Sequence, residues 1–261
     1  MPEAASVEVE PSPVEVANEG GRSEVVLVCE HAANRLPASY GGLGLPPADL
    51  ARHIAYDIGA AALTRRLSTR LDAPAFFGTL SRLLVDLNRP FGVPSSMPVL
   101  SEATEIPGNR DLSEGERERR RRIVFEPFHA TLADFLDRRD AAGRPTRLVA
   151  VHSFTPVFLG KARPWHAGIL FEPPEAYGRA VLQALRAEGG LEVGENEPYR
   201  IDRTEDYAVP VHGTDRGYPA VLVEVRNDLL GTPAEVERWA DRLARALTAP
   251  LPADEVIHVH A

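Results

Sequence analysis

Three apolar runs constrain this chain more than any other feature: Val25-Val26-Leu27-Val28-Cys29, Leu148-Val149-Ala150-Val151 and Ala220-Val221-Leu222-Val223. They lack the polar alternation of a half-exposed strand, so they suit strands covered on both faces, as in a parallel sheet. Helical patterns lie between them. Asp49 is placed to cap a helix running to about Arg70, with Ile54, Ile58, Ala61, Ala62 and Leu67 on its apolar side. Ser113 and Glu116 form a capping-box signal for a helix to about Asp140, and further helices are predicted over Pro174–Glu188 and Pro233–Leu247. Ala75–Leu80, Leu83–Leu87 and Ala167–Phe171 read as extended, whereas Phe91–Asp111, rich in Pro, Gly and Ser, reads as a long loop over a site. Strands alternating with helices predict an α/β fold, a three-layer sandwich with a mostly parallel central sheet.

A chain of 261 residues can bury one sizeable core, and the predicted organisation is a single domain over residues 23–250. The acidic, Pro-rich segment 1–22 and residues 251–261 are expected to be tails. A formal net charge of -9 argues against a nucleic-acid partner, since phosphate neutralisation needs a basic surface. The run Arg119-Arg120-Arg121-Arg122 follows Glu114, Glu116 and Glu118 and is read as a solvated helix face. The single cysteine, Cys29, can form no disulfide framework and is expected to be a small buried hydrophobe. No signal-like start and no membrane-length apolar stretch is visible, so a cytoplasmic protein without membrane contact is expected.

The chemistry is concentrated where the apolar runs end: Cys29-Glu30-His31, Val151-His152-Ser153 and Val223-Glu224-Val225. Ligands of open α/β sheets gather at the carboxyl ends of the strands, where residues far apart in sequence can converge. Imidazole and carboxylate suit zinc, and a catalytic zinc takes three protein ligands and a water. His31 and His152 are two candidate ligands. The third is either His53 or Asp57, four residues apart and on one side of the predicted helix. A water on such a metal has a pKa near 7, and Glu224 would take its proton and hand it to a leaving amine. Arg82, Asn88, Arg89, Arg163 and Arg226 are candidate substrate contacts, because arginine binds carboxylates through two parallel hydrogen bonds. In so acidic a chain they point to a small anionic substrate. His212 is a candidate donor to the transition state.

Several of these stretches together resemble the N-formylglutamate amidohydrolase family. They are Cys29-Glu30-His31-Ala32-Ala33-Asn34, His53-Ile54-Ala55-Tyr56-Asp57-Ile58-Gly59-Ala60, Ser81-Arg82-Leu83-Leu84-Val85-Asp86-Leu87-Asn88-Arg89, Ala150-Val151-His152-Ser153-Phe154-Thr155-Pro156, Arg163-Pro164-Trp165-His166 and Gly217–Asp228. The resemblance spans about Val25 to Leu230. It implies hydrolysis of N-formylglutamate or a related N-acyl amino acid, and a fold similar to the zinc carboxypeptidases and zinc-dependent muramoyl amidases. In those relatives a late strand ends in a catalytic Glu, which matches Glu224, with His31 and His152 as metal ligands. A peptidoglycan or peptide amidase, and a non-catalytic small-molecule binding protein with the same pocket, are the alternatives.

Overall fold

The apolar runs lie side by side in the computed structural model, which describes residues 12–251. Seven strands make one sheet: β1 Val14–Ala17, β2 Val25–Cys29, β3 Ala75–Gly78, β4 Arg147–Phe154, β5 Ala167–Leu170, β6 Val193–Glu195 and β7 Ala220–Arg226, in the order β1-β3-β2-β4-β7-β5-β6. The β2–β3, β2–β4, β4–β7 and β5–β6 pairs are parallel; only β1–β3 and β5–β7 are antiparallel. Helices cover both faces, and the result is a three-layer α/β sandwich. They are α1 Ala60–Leu71, α2 Glu114–Arg120, α3 Glu126–Ala141, α4 Ala176–Ala187 and α5 Pro233–Leu247, with the π-helical turn Arg121–Phe125 joining α2 to α3.

Two-sided burial explains the unbroken apolar runs. Val25, Leu27 and Cys29 pack with Leu63, Leu67, Val181 and Trp239 of α1, α4 and α5. Val26 and Val28 pack with Phe128, Leu132 and Leu136 of α3 on the other face. Each strand residue therefore meets a hydrophobic layer whichever way it points. The periodicity of α5 buries Val236, Trp239, Leu243 and Leu247, and a full capping box between Thr232 and Glu235 starts it.

Several expectations are corrected. The helix predicted from Asp49 is broken: a short turn covers Pro47–Leu50, and α1 begins only at Ala60. Between them the Asp57 N–H donates to the His31 carbonyl at 2.9 Å, a tertiary bond that a continuous helix would forbid. Gly59 then turns the chain at φ 85°, and a Cβ there would fall 2.5 Å from Leu230 Cβ. Only glycine fits. Leu83–Leu87 is a series of turns rather than extended chain, shaped by Leu84 N–H to Ser81 O and by Asn88 N–H to the Asp86 carboxylate. Within the expected N-terminal tail, Val14–Ala17 pairs along β3. Residues 1–11 and 252–261 of the two expected tails lie outside the described residues. Arg120 is not solvated: it is buried against Glu116, the Asn109 side chain and the carbonyls of Leu84 and Gly108. Among the described residues no helix is long and apolar enough to cross a membrane.

Candidate active site

Parallel register does the first part of the assembly. Glu224 of β7 lies opposite His152 of β4, and His31 follows β2, the other neighbour of β4. On its far side Glu224 lies opposite Gly168 of β5. A Cβ on Gly168 would fall 1.8 Å from the Glu197 carbonyl oxygen, so the missing side chain lets the 197–206 loop approach the sheet there. Asp57 is brought in by its backbone bond to His31, and its carboxylate accepts the Ser153 N–H at 3.3 Å.

The imidazoles of His31 and His152 meet edge to face with centroids 4.7 Å apart. Each turns Nδ1 toward the same oxygen, Asp57 Oδ2, at 3.4 Å from His31 and 3.0 Å from His152. Each also turns Nε2 toward a second carboxylate: Asp86 at 2.7 Å from His31 and Glu30 at 3.0 Å from His152. Ligand atoms of His31, Asp57 and His152 all lie within 4.8 Å of one another. A tetrahedral ion with bonds of about 2.0–2.1 Å separates its ligands by about 3.3 Å, so the Nδ1–Oδ2 spacings fit one cation. Carboxylates on the far nitrogens are the partners that hold metal-ligating histidines in orientation. The buried His31 Nδ1 makes no hydrogen bond among the described residues, which leaves its lone pair free for a cation.

Electrostatics follows from these pairings. Burial alone would depress the His152 pKa, but Glu30 and Asp57 outweigh it and raise it well above the usual imidazole range. Burial works against the ionised Asp86 carboxyl too, yet Arg82 and His31 hold it well below the carboxylate range. Arg82 contacts Asp86 through Nε at 2.9 Å and Nη2 at 2.6 Å, and reaches Asp57 at 3.4 Å. Glu224 is different. Its Oε2 is buried without a partner, and desolvation pushes its pKa up to about 8. It has no salt bridge among the described residues.

A cavity of about 390 Å³ opens over this cluster, lined by His31, Asp57, His152, Glu224, Arg82, Asn88 and Arg89 among others. His53 lines it as well, but its Nε2 faces Glu102 at 3.2 Å, outside the His31–Asp57–His152 group. The shared helix face predicted for His53 and Asp57 does not exist, because this stretch is not helical. Asn88 ties loops together, accepting the N–H groups of Tyr207 and Ala208 and donating to Asp206.

Three predicted residues are not brought to the cavity lining. Arg163 stacks over the rings of Phe158 and Tyr199. Arg226 is drawn to Asp228 at 2.8 Å and to the carbonyls of residues 163–165. His212 is buried beside His129 at 3.0 Å, against α3 and off the cavity lining, where desolvation lowers its pKa to about 4. The sequence reading missed Glu30 and Asp86 as histidine partners, although both stand in motifs it singled out. It also missed Tyr199 and Arg200, whose loop carries no periodic or motif signal.

The sequence model described as N-formylglutamate amidohydrolase matches residues 23–231. The chain belongs to this family. Membership makes it a hydrolase of linear, non-peptide amides, and its fold is shared with a solved N-formylglutamate amidohydrolase. Among solved structures, the gene product Atu2144 from Agrobacterium tumefaciens is 39% identical, with 92% of this chain and 95% of that one covered and a TM-score of 0.88. The N-formylglutamate amidohydrolase from Ralstonia eutropha JMP134 is 18% identical, covers 91% and 96%, and has a TM-score of 0.62. No curated protein matches the chain at a significant level.

Proposed function

We propose that the protein is a divalent-metal amidohydrolase that cleaves the amide of N-formylglutamate or a related N-acyl amino acid. The observation that carries this reading is the convergence of His31, Asp57 and His152 on one point, with the unpaired Glu224 carboxylate beside them in the ladder. His31 and His152 would hold the metal through Nδ1 and Asp57 through Oδ2. Imidazole and carboxylate donors at this spacing favour zinc. Such an ion supplies Lewis acidity, polarising an acyl carbonyl and acidifying water to a pKa near 7.

The chain's own groups do the rest. Glu30 and Asp86 fix the tautomer and orientation of the two histidines by accepting from Nε2. Burial favours the neutral form of Glu224, and positive charge brought nearby favours the ionised one. Its carboxylate then takes a proton from the attacking water and delivers it to the departing nitrogen. The C–N bond breaks, the acyl group leaves as the acid, and the amino acid leaves as the amine. Arg82, clamped between Asp57 and Asp86, keeps the acidic ligand and its neighbour in place.

The test is metal content together with a hydrolysis screen over N-formyl, N-acetyl and N-succinyl amino acids. Zinc bound at one equivalent and turnover lost on chelation are expected. A protein that takes up no metal and hydrolyses none of these compounds refutes the reading.

A further inference from the structure

Charge along the cavity is unevenly committed. Seven carboxylate side chains and only three arginines line it. Two of those arginines each face two acids: Arg82 reaches Asp86 and Asp57, while Arg89 lies 3.2 Å from Asp206 and 3.6 Å from Glu205. Arg200, exposed at the cavity mouth, has no ion pair and no hydrogen bond among the described residues. Glu102, also in the lining, faces Arg52 and His53, so its charge is shared. Among the described residues, the Asp202 carboxylate accepts only from the Thr204 N–H and hydroxyl and meets no cation. A divalent ion on the histidine cluster would still leave the lining formally negative.

A substrate carboxylate needs a guanidinium whose parallel N–H donors are available. Among the three lining arginines only Arg200 offers that; the Arg163 Nη1 also lacks a partner among the described residues but is buried and off the lining. A second carboxylate would stand among Glu102, Asp202 and Glu205, and like charges brought together in a partly dry cavity repel. We infer that the substrate is an N-acyl amino acid with a single carboxylate, anchored by Arg200, and a neutral or cationic side chain. A dianion such as N-formylglutamate is the poorer substrate. This rests on the amidohydrolase reading above and narrows it.

The discriminating pair is N-formyl-L-glutamine and N-formyl-L-glutamate, which match in shape and differ in side-chain charge. On the zinc-loaded enzyme, kcat/KM is expected to be at least about tenfold higher for the glutamine compound, with the gap narrowing as salt screens the acids. Arg200→Gln should raise KM for N-formyl-L-glutamine about tenfold, more than it lowers kcat, and Arg200→Lys should recover part of the loss. Equal or faster turnover of the glutamate compound overturns the inference, as does a KM indifferent to Arg200→Gln. If neither compound is hydrolysed, the amidohydrolase reading is what fails, and calorimetric titration of the same pair judges the charge preference separately. Tighter binding of the glutamine compound then supports it; tighter binding of the glutamate compound, or no binding of either, overturns it.

Discussion

Glu224 stands opposite His152 in the parallel β4–β7 ladder, yet only the histidine has found carboxylate partners. The ladder thus sets an imidazole with a carboxylate at each nitrogen beside a buried acid whose Oε2 has no partner among the described residues. That asymmetry separates a ligand from a proton-transfer group.

Replacing the acid separates stability from chemistry. Glu224→Gln should keep metal binding and lower kcat by roughly 10²–10⁴, the range for losing a general acid-base group. The folded carboxyl titrates at about 8 against 4.5 as a free side chain, so the native state holds a proton that the unfolded chain releases. Its contribution to stability is complete below 4.5 and is lost as pH rises through 8. The same substitution should therefore raise the melting temperature of the metal-free protein at pH 8. Thermal scans with and without chelator measure this.

The choice between the two candidate third ligands is open to direct assay. Asp57→Asn should reduce zinc occupancy severely, because Asp57 Oδ2 is shared by both histidines. His53→Ala should leave occupancy intact, since its partner is Glu102. Metal analysis of the dialysed variants decides; loss of zinc in the His53 variant alone would reverse the assignment.

The carboxylates behind the histidines should matter although they touch no metal. Asp86→Asn and Glu30→Gln are each expected to weaken zinc affinity about 10–100-fold, the usual effect of removing a ligand's orienting partner. Competition with a calibrated chelator gives the affinities.

His212 and His129 make a separate pH prediction. Burial holds the His212 pKa at about 4, below the usual 6.5, and holds His129 well below the usual range too. Both are neutral when folded, so their stabilising effect is full above 6.5 and is lost as pH falls toward 4. For His212 alone the shift corresponds to about 3 kcal/mol. Denaturant midpoints should drop across this window, and the His129→Leu/His212→Leu double variant should flatten the drop.

Much of the sheet was legible because Val25–Cys29 and Ala220–Val225 are buried on both faces, which writes an unbroken apolar run into the sequence. The ends of those runs also pointed to His31, His152 and Glu224. Helix α5 was legible from its box and stripe. The segment from Asp49 to Gly59 was not, because a tertiary bond from Asp57 to His31 overrides local helix propensity. Arg120 looked solvated beside its charged neighbours, but its environment is set by Asn109 and Leu84, distant in sequence. His212 gave the same local signal as the true cavity residues. What distinguishes it is its pairing with His129 of α3, which holds it off the cavity lining.

Gly168 has the widest consequence of the features around Glu224. Its bare backbone lets the segment leading to Arg200 settle on β5, the strand directly beside the one that carries the proposed base. In the proposed reaction, the amino-acid anchor and the proton-transfer group would therefore share one point of support, the Gly168 α-carbon. A methyl group added at position 168 would shift the anchor relative to the reacting bond while leaving every polar group of the centre unaltered.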